Sequence, residues 1–133
     1  MKYLVAVLLP ILSTSCATTA PAERVPRISP RDVHERVEHR GALLVCAYPK
    51  QKCSGTHLAG AITLEELEAR VPALRPDQEI IFFCGCPREG AAAGRAAEME
   101  SRGFRNVGVV AGGFLAWILE EYGVTSTREE GAP

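Results

Sequence analysis

The sequence carries no block of like charges. Fifteen lysines and arginines face sixteen aspartates and glutamates, leaving a formal net charge of -1, without the electrostatic footprint of a nucleic-acid binder. Nucleic-acid binding is therefore not expected. There is no G-x-x-x-x-G-K-[ST] loop and no Ser-His-Asp arrangement, so nucleotide and hydrolase chemistry lack support. The five cysteines never show the C-x2-C spacing of common zinc modules, although thiolate clusters in general suit zinc or copper(I). No internal repeat or low-complexity tract interrupts the chain. What remains is 133 residues, 47% of them apolar, which is the size and composition of one globular domain.

The apolar stretch from Tyr3 to Leu12 follows a single lysine and is too short to span a bilayer comfortably. Small polar residues then lead to Cys16. The segment resembles a bacterial lipoprotein export signal, although Ser13 stands where such signals usually carry a leucine-like residue. The resemblance implies lipidation at Cys16 and a protein anchored on the membrane of the bacterial cell envelope, facing the periplasm or exterior. Residues 1–16 are read as the signal, 17–27 as a tether rich in proline, 28–123 as the domain and 124–133 as a tail. In an oxidising setting the four remaining cysteines, Cys46, Cys53, Cys84 and Cys86, permit disulfides whose connectivity spacing does not reveal.

Along the domain, helical and strand patterns alternate. Ser29 as N-cap before Pro30 starts a helix over Pro30 to His39, and Gly41 ends it. Ala42 to Ala47 and Ile80 to Cys84 are unbroken apolar runs of the kind a strand buried on both faces requires. Between them, Tyr48 to Gly60 reads as irregular, Ala61 to Thr63 as a short strand, and LEELEARV as a helix capped by Thr63. Beyond them come an alanine-rich helix from Gly90 or Ala91 to Ser101, a strand over Val107 to Val110, a Gly112-Gly113 turn and a helix over Phe114 to Tyr122. Such alternation predicts an α/β fold, a parallel sheet flanked by helices, with its site beyond the carboxyl ends of the strands.

The stretch FFCGCPREG sets Cys84 at the end of the second apolar run, followed by Gly85, Cys86, Pro87, Arg88, Glu89 and Gly90 before the helix. Amides at a helix start favour an anion, and a thiolate held there is a nucleophile. The same amides can hold an anionic substrate. Arg88 adds positive charge at the rim of this loop and Glu89 opposes it. A direct Cys84–Cys86 disulfide would close a very small, strained ring. Cys46 and Cys53 are candidates for a disulfide pinning the irregular segment, for resolving a sulfur species on Cys84, or for completing a four-sulfur metal site with the C-x-C pair. Arg95 lies one or two helical turns past the loop, on the surface or facing an incoming anion.

IIFFC with its loop, the alanine-rich helix, SRGFRNVGVVAGGFLAW and the earlier GTHLAGAI together resemble the rhodanese (sulfurtransferase) domain over roughly Ile28 to Gly123. The resemblance implies transfer of sulfane sulfur from a small sulfur-containing anion such as thiosulfate to a thiol or other thiophilic acceptor. The carrier would be a persulfide on Cys84, with Cys86 as the alternative nucleophile and Gly85 to Gly90 as the cradle, and no metal or organic cofactor is required. His57 occupies the position of the family's own histidine, in a packing role. The sequence departs from the family in three places. Cys46 and Tyr48 replace an aspartate and an arginine, and Glu89 stands where arginine is common. The interval from Cys84 to Gly103 is about two residues longer than is usual in the family, so Cys86 fits the helix spacing better; Cys84 fits the strand, and a loop absorbs an insertion more readily than a strand moves its end. A noncatalytic rhodanese-like module binding a protein or thiophilic metal, and a thiol-disulfide redox protein using Cys84 with Cys86 or Cys46, are the rival readings.

Overall fold

The computed structural model describes residues 20–53, 56–85 and 88–126. In chain order, a 3-10 turn (Pro21–Glu23) and β1 (Arg27–Ile28) precede α1 (Pro30–Arg40), β2 (Leu43–Cys46), α2 (Lys50–Cys53) and β3 (Thr56–Leu58). They are followed by α3 (Leu64–Arg70) with a 3-10 extension (Val71–Ala73), β4 (Glu79–Phe83), α4 (Gly90–Ser101), β5 (Asn106–Val110), α5 (Gly113–Leu119) and β6 (Val124–Ser126). β1, β5, β4 and β2 form, in that spatial order, one parallel sheet. β3 and β6 pair antiparallel beside it.

The sheet separates two apolar layers. Val45, Ile80, Phe82, Val107 and Val109 point to one face, where Leu67 of α3 and Ala92, Ala93, Ala96 and Met99 of α4 cover them. Leu44, Ile81 and Val110 point to the other, under Val33 of α1 and Trp117 of α5. β2 and β4 are buried on both faces, which is why they read as continuous apolar runs without alternation. The alanines of α4 let that helix approach β4 and β5 closely.

Helix boundaries follow local chemistry. Ser29 Oγ accepts from the Asp32 amide, 3.1 Å away, and Gly41 ends α1 at φ +70, so the helix runs one residue past the expected His39. At α3, Thr63 Oγ1 accepts from the Glu66 amide at 3.2 Å while the Thr63 amide donates to Glu66 Oε2 at 2.7 Å, a reciprocal capping box. The Thr63 amide is the main reason that the Glu66 carboxyl sits below the ordinary carboxylate value of 4.5. A lowered folded-state value means that its stabilisation is present above the unfolded value and lost as pH falls through the folded one. Glu66→Gln is therefore expected to lower the urea midpoint at pH 7 and to leave it nearly unchanged at about pH 3.

The structure corrects four expectations. The stretch from Tyr48 to Gly60 contains α2 and β3. Ala61 to Thr63 forms no strand, only a bridge of Ile62 to Val45. The 17–27 segment holds a 3-10 turn and Arg27 of β1, with Val25 only 2% exposed in the α4-side layer, because β5 needs a partner on its outer edge. Residues 124–126, expected to belong to a tail, pair with β3. Among the described residues no helix is long and apolar enough to cross a membrane; the apolar stretch before Cys16 lies outside them.

Candidate active site

β4 ends at Phe83, beside Cys46 of β2 in the parallel register, and the Ala47 amide continues the ladder by donating to the Phe83 carbonyl at 2.9 Å. Cys84 is the first residue beyond the strand. Its carbonyl accepts from the Phe114 amide at 3.0 Å, tying the start of the loop to the first turn of α5. Strand alternation then decides where the thiol goes. Phe83 shares its face with Cys46 and Cys53, whereas Cys84 falls on the α4 face with Ala47, Ala92, Ala93 and Ala96. The Cys84 side chain is 0% exposed.

That position lies at the amino end of α4, a twelve-residue helix. Its first amides have no intrahelical acceptor, and the aligned peptide dipoles place partial positive charge there. Ala92 and Ala93, in the first turn, pack in the same layer as Cys84 and present only methyl groups. Cys86 and Pro87 lie outside the described residues. Gly85 and Arg88 are exposed on either side of them, and Gly90 opens the helix, exposed as well.

Glu89 does not face the rim. It is 7% exposed and takes the left-handed conformation, φ +56, immediately before α4. Its Oε1 accepts from the Gly112 amide at 2.6 Å and its Oε2 from Arg27 Nε at 2.6 Å. A non-glycine residue in this region persists only when its surroundings hold it, and here the two donors do so. Gly112 answers with its own constraint: at φ +73, a Cβ there would lie 2.7 Å from the Ala116 methyl. The carboxylate thus clamps the cysteine loop to the β5–α5 turn and to β1. Neither Arg27 nor Gly112 was identifiable as a site residue from the sequence. Arg27 sits 62 positions from Glu89 in a segment with no local pattern, and the glycine pair signalled only a turn.

Two cavities flank the loop. On the Cys84 side, a groove of about 390 Å³ runs between Ala47, Tyr48 and Pro49 and the start of α4, lined by Gly90, Ala91 and Gly94, with Arg95 and Glu98 at its far end. Arg95 donates from Nε toward the Ala47 carbonyl at 3.5 Å and pairs through Nη1 with Glu98 at 3.2 Å, which keeps the guanidinium at the groove. On the opposite side, a cavity of about 160 Å³ lies among Tyr48, Lys52, Phe83, Gly85 and Phe114, with Cys46 and Cys53 in its wall. Cys46 and Cys53 are joined in a disulfide, so the structure brings these two together and sets them across the sheet from Cys84. Among the described residues no group of three histidine, cysteine or carboxylate side chains could hold a metal ion.

A parallel sheet with a cysteine at the carboxyl end of a central strand, feeding through a short loop into a helix, defines the general class. The rhodanese-like domain family matches residues 29–120, and the chain belongs to that family. No curated protein matches the sequence. Among solved structures it is similar to the rhodanese-like domain of an Anabaena protein, at 18% identity and a TM-score of 0.63, over 81% of this chain and 87% of the other. It is also similar to the polysulfide-sulfur transferase homodimer of Wolinella succinogenes (16%, TM-score 0.62, 84% and 86% covered). A third similar structure is the thiosulfate sulfurtransferase of Pseudomonas aeruginosa (16%, TM-score 0.67), of which this chain covers 22% and is itself covered over 84%. At these identities the likeness is one of fold.

Proposed function

We propose that this protein is a sulfurtransferase that carries sulfane sulfur as a persulfide on Cys84, with Cys86 as the alternative carrier. The observation that supports it is the position of Cys84, one residue past β4 and packed with the first turn of α4. In the first half-reaction a Cys84 thiolate attacks the outer sulfur of thiosulfate. The S–S bond breaks, sulfite departs with the bonding pair, and Cys84 retains the sulfur as a persulfide anion. In the second, a thiol or other thiophilic acceptor attacks that outer sulfur and the Cys84 thiolate is regenerated. Both anionic states draw on the amino-terminal charge of α4. Gly85 to Gly90 are proposed as the anion cradle, with Glu89 holding the end of that loop through Gly112 and Arg27 and not contacting the substrate.

In this proposal the small dianion docks in the groove that ends at Arg95, on the same face of the sheet as Cys84. Arg95 then acts as its counter-charge, and the prediction is specific. Arg95→Gln should raise KM for thiosulfate roughly tenfold, the loss of one partly exposed charge contact, with kcat changed far less, as expected for lost uniform binding. The reading as a whole is tested by mixing reduced protein with thiosulfate in the absence of acceptor. One equivalent of sulfite per chain should appear in a single burst; no burst, at any loop-cysteine redox state, would leave a noncatalytic module.

Cell-envelope location and lipid anchoring at Cys16 belong to the same proposal. The Cys46–Cys53 bond supports them, since disulfides persist in exported proteins and are rare in a reducing cytosol.

A further inference from the structure

We propose that the Cys46–Cys53 disulfide is a second reactive sulfur centre, one that exchanges electrons with an external dithiol on the sheet face opposite Cys84. Cys46 and Cys53 are 4% and 3% exposed, within the α1/α5-side apolar layer. The bond nevertheless forms part of the wall of two cavities: the 160 Å³ space described above and a neighbouring one of about 260 Å³ lined by Lys50, His57, Ile62 and Glu66. Either cavity is a route by which a small thiol would reach it.

Three features of the surroundings favour opening it. Cys53 Sγ lies 3.3 Å from the Tyr48 carbonyl. A disulfide sulfur has no proton to give, so this contact becomes an S–H···O hydrogen bond only in the reduced form and stabilises that form. Lys50 and Lys52 both precede Cys53 within α2; Lys50 pairs with Glu65 at 4.0 Å, and Lys52, over the Tyr48 ring, supplies positive charge that favours a departing thiolate. His57 lines the larger cavity, and its Nδ1 is buried with no hydrogen-bond partner among the described residues. A buried, unpartnered ring nitrogen is costly for structure alone and is suited to passing a proton between thiols. α2 itself is a single turn whose one buried residue is Cys53, so it can adjust when the bond breaks without disturbing the sheet.

The exchange balances without further reagents. A thiol of the dithiol gives its proton to His57 Nδ1 and its sulfur attacks Cys46 Sγ. The Cys46–Cys53 bond breaks, and Cys53 leaves with the electron pair, taking the proton back from His57 to become the thiol that donates to Tyr48. The second thiol of the reagent then attacks its own mixed disulfide, displacing Cys46, which takes up that thiol's proton. The dithiol departs as a cyclic disulfide, having passed two electrons and two protons to the protein. None of this requires sulfur loading at the loop, so either proposal can fail without the other.

The test uses the full chain in non-denaturing buffer with dithiothreitol as the dithiol, quenched with N-ethylmaleimide at timed intervals and mapped by peptide mass. Cys46 and Cys53 should become labelled together while the far-UV circular dichroism stays native. His57→Gln should slow their appearance about tenfold while leaving the final extent unchanged. Labelling that appears only when the circular dichroism is lost would overturn the proposal, and the wild-type chain decides this even if the variant fails to fold. An unchanged rate in a folded His57→Gln protein would overturn the proton-passing role.

Discussion

Cys84→Ser is expected to abolish sulfite release from thiosulfate, by at least about a thousandfold, the scale on which removing a covalent nucleophile acts. The substitution is nearly isosteric, and a hydroxyl at this position is far too weak an acid to provide the attacking anion. Because Cys84 is 0% exposed among alanines, a serine also buries a polar group and should cost about 1–3 kcal/mol of stability. A urea titration separates that cost from the chemistry, since a folded, inactive variant is the informative one. Cys86→Ser should retain release within a few-fold. The reverse pattern would move the nucleophile to Cys86, in keeping with the helix spacing and against the strand phase.

The second large effect is expected at Glu89. Glu89→Ala removes both hydrogen bonds of the buried carboxylate and leaves the Gly112 amide without its side-chain acceptor, while the backbone at φ +56 still needs its strain supported. We expect a loss of about 1.5–3 kcal/mol, the range for a hydrogen bond to a charged group, together with at least tenfold slower sulfur loading as the loop loses its shape. Glu89→Gln keeps an acceptor for Gly112 and should recover most of the stability. Arg27→Ala should cost less than about 1 kcal/mol, because the Arg27 side chain is 43% exposed and its ion pair is screened. Equal effects of the alanine changes at Arg27 and Glu89 would show that the ion pair, and not the Gly112 contact, holds the loop.

The layered α/β architecture was legible because its signals are local. Ser29-Pro30 and Gly41 mark the ends of α1, the apolar runs of β2 and β4 are long enough to require burial on both faces, and the alanine-rich α4 is bounded by Gly90 and Gly103. The position of Cys84 at a strand end followed from the same pattern. Elements stabilised only by distant partners left no such trace. β1 is two residues long and exists by pairing with β5. β3 and β6 hold each other across 66 to 70 positions of sequence, from Leu58–Val124 to Thr56–Ser126, a separation no local periodicity encodes. Glu89 is the instructive case: its charge beside Arg88 suggested a rim residue, whereas its true partners, Arg27 and Gly112, are brought to it by the sheet. The separation of Cys84 from the Cys46–Cys53 bond follows from strand alternation between Phe83 and Cys84, which makes direct resolution of a Cys84 persulfide by that pair geometrically awkward.

The most direct test of the central claim is to locate the carried sulfur. Protein treated with thiosulfate, left unreduced and cleaved at low pH should show one added sulfur atom, about 32 Da, on the peptide containing Cys84, removed by a thiophilic acceptor, with the Cys46–Cys53 peptides still joined. No added mass, or added mass confined to Cys46 or Cys53, would contradict the account.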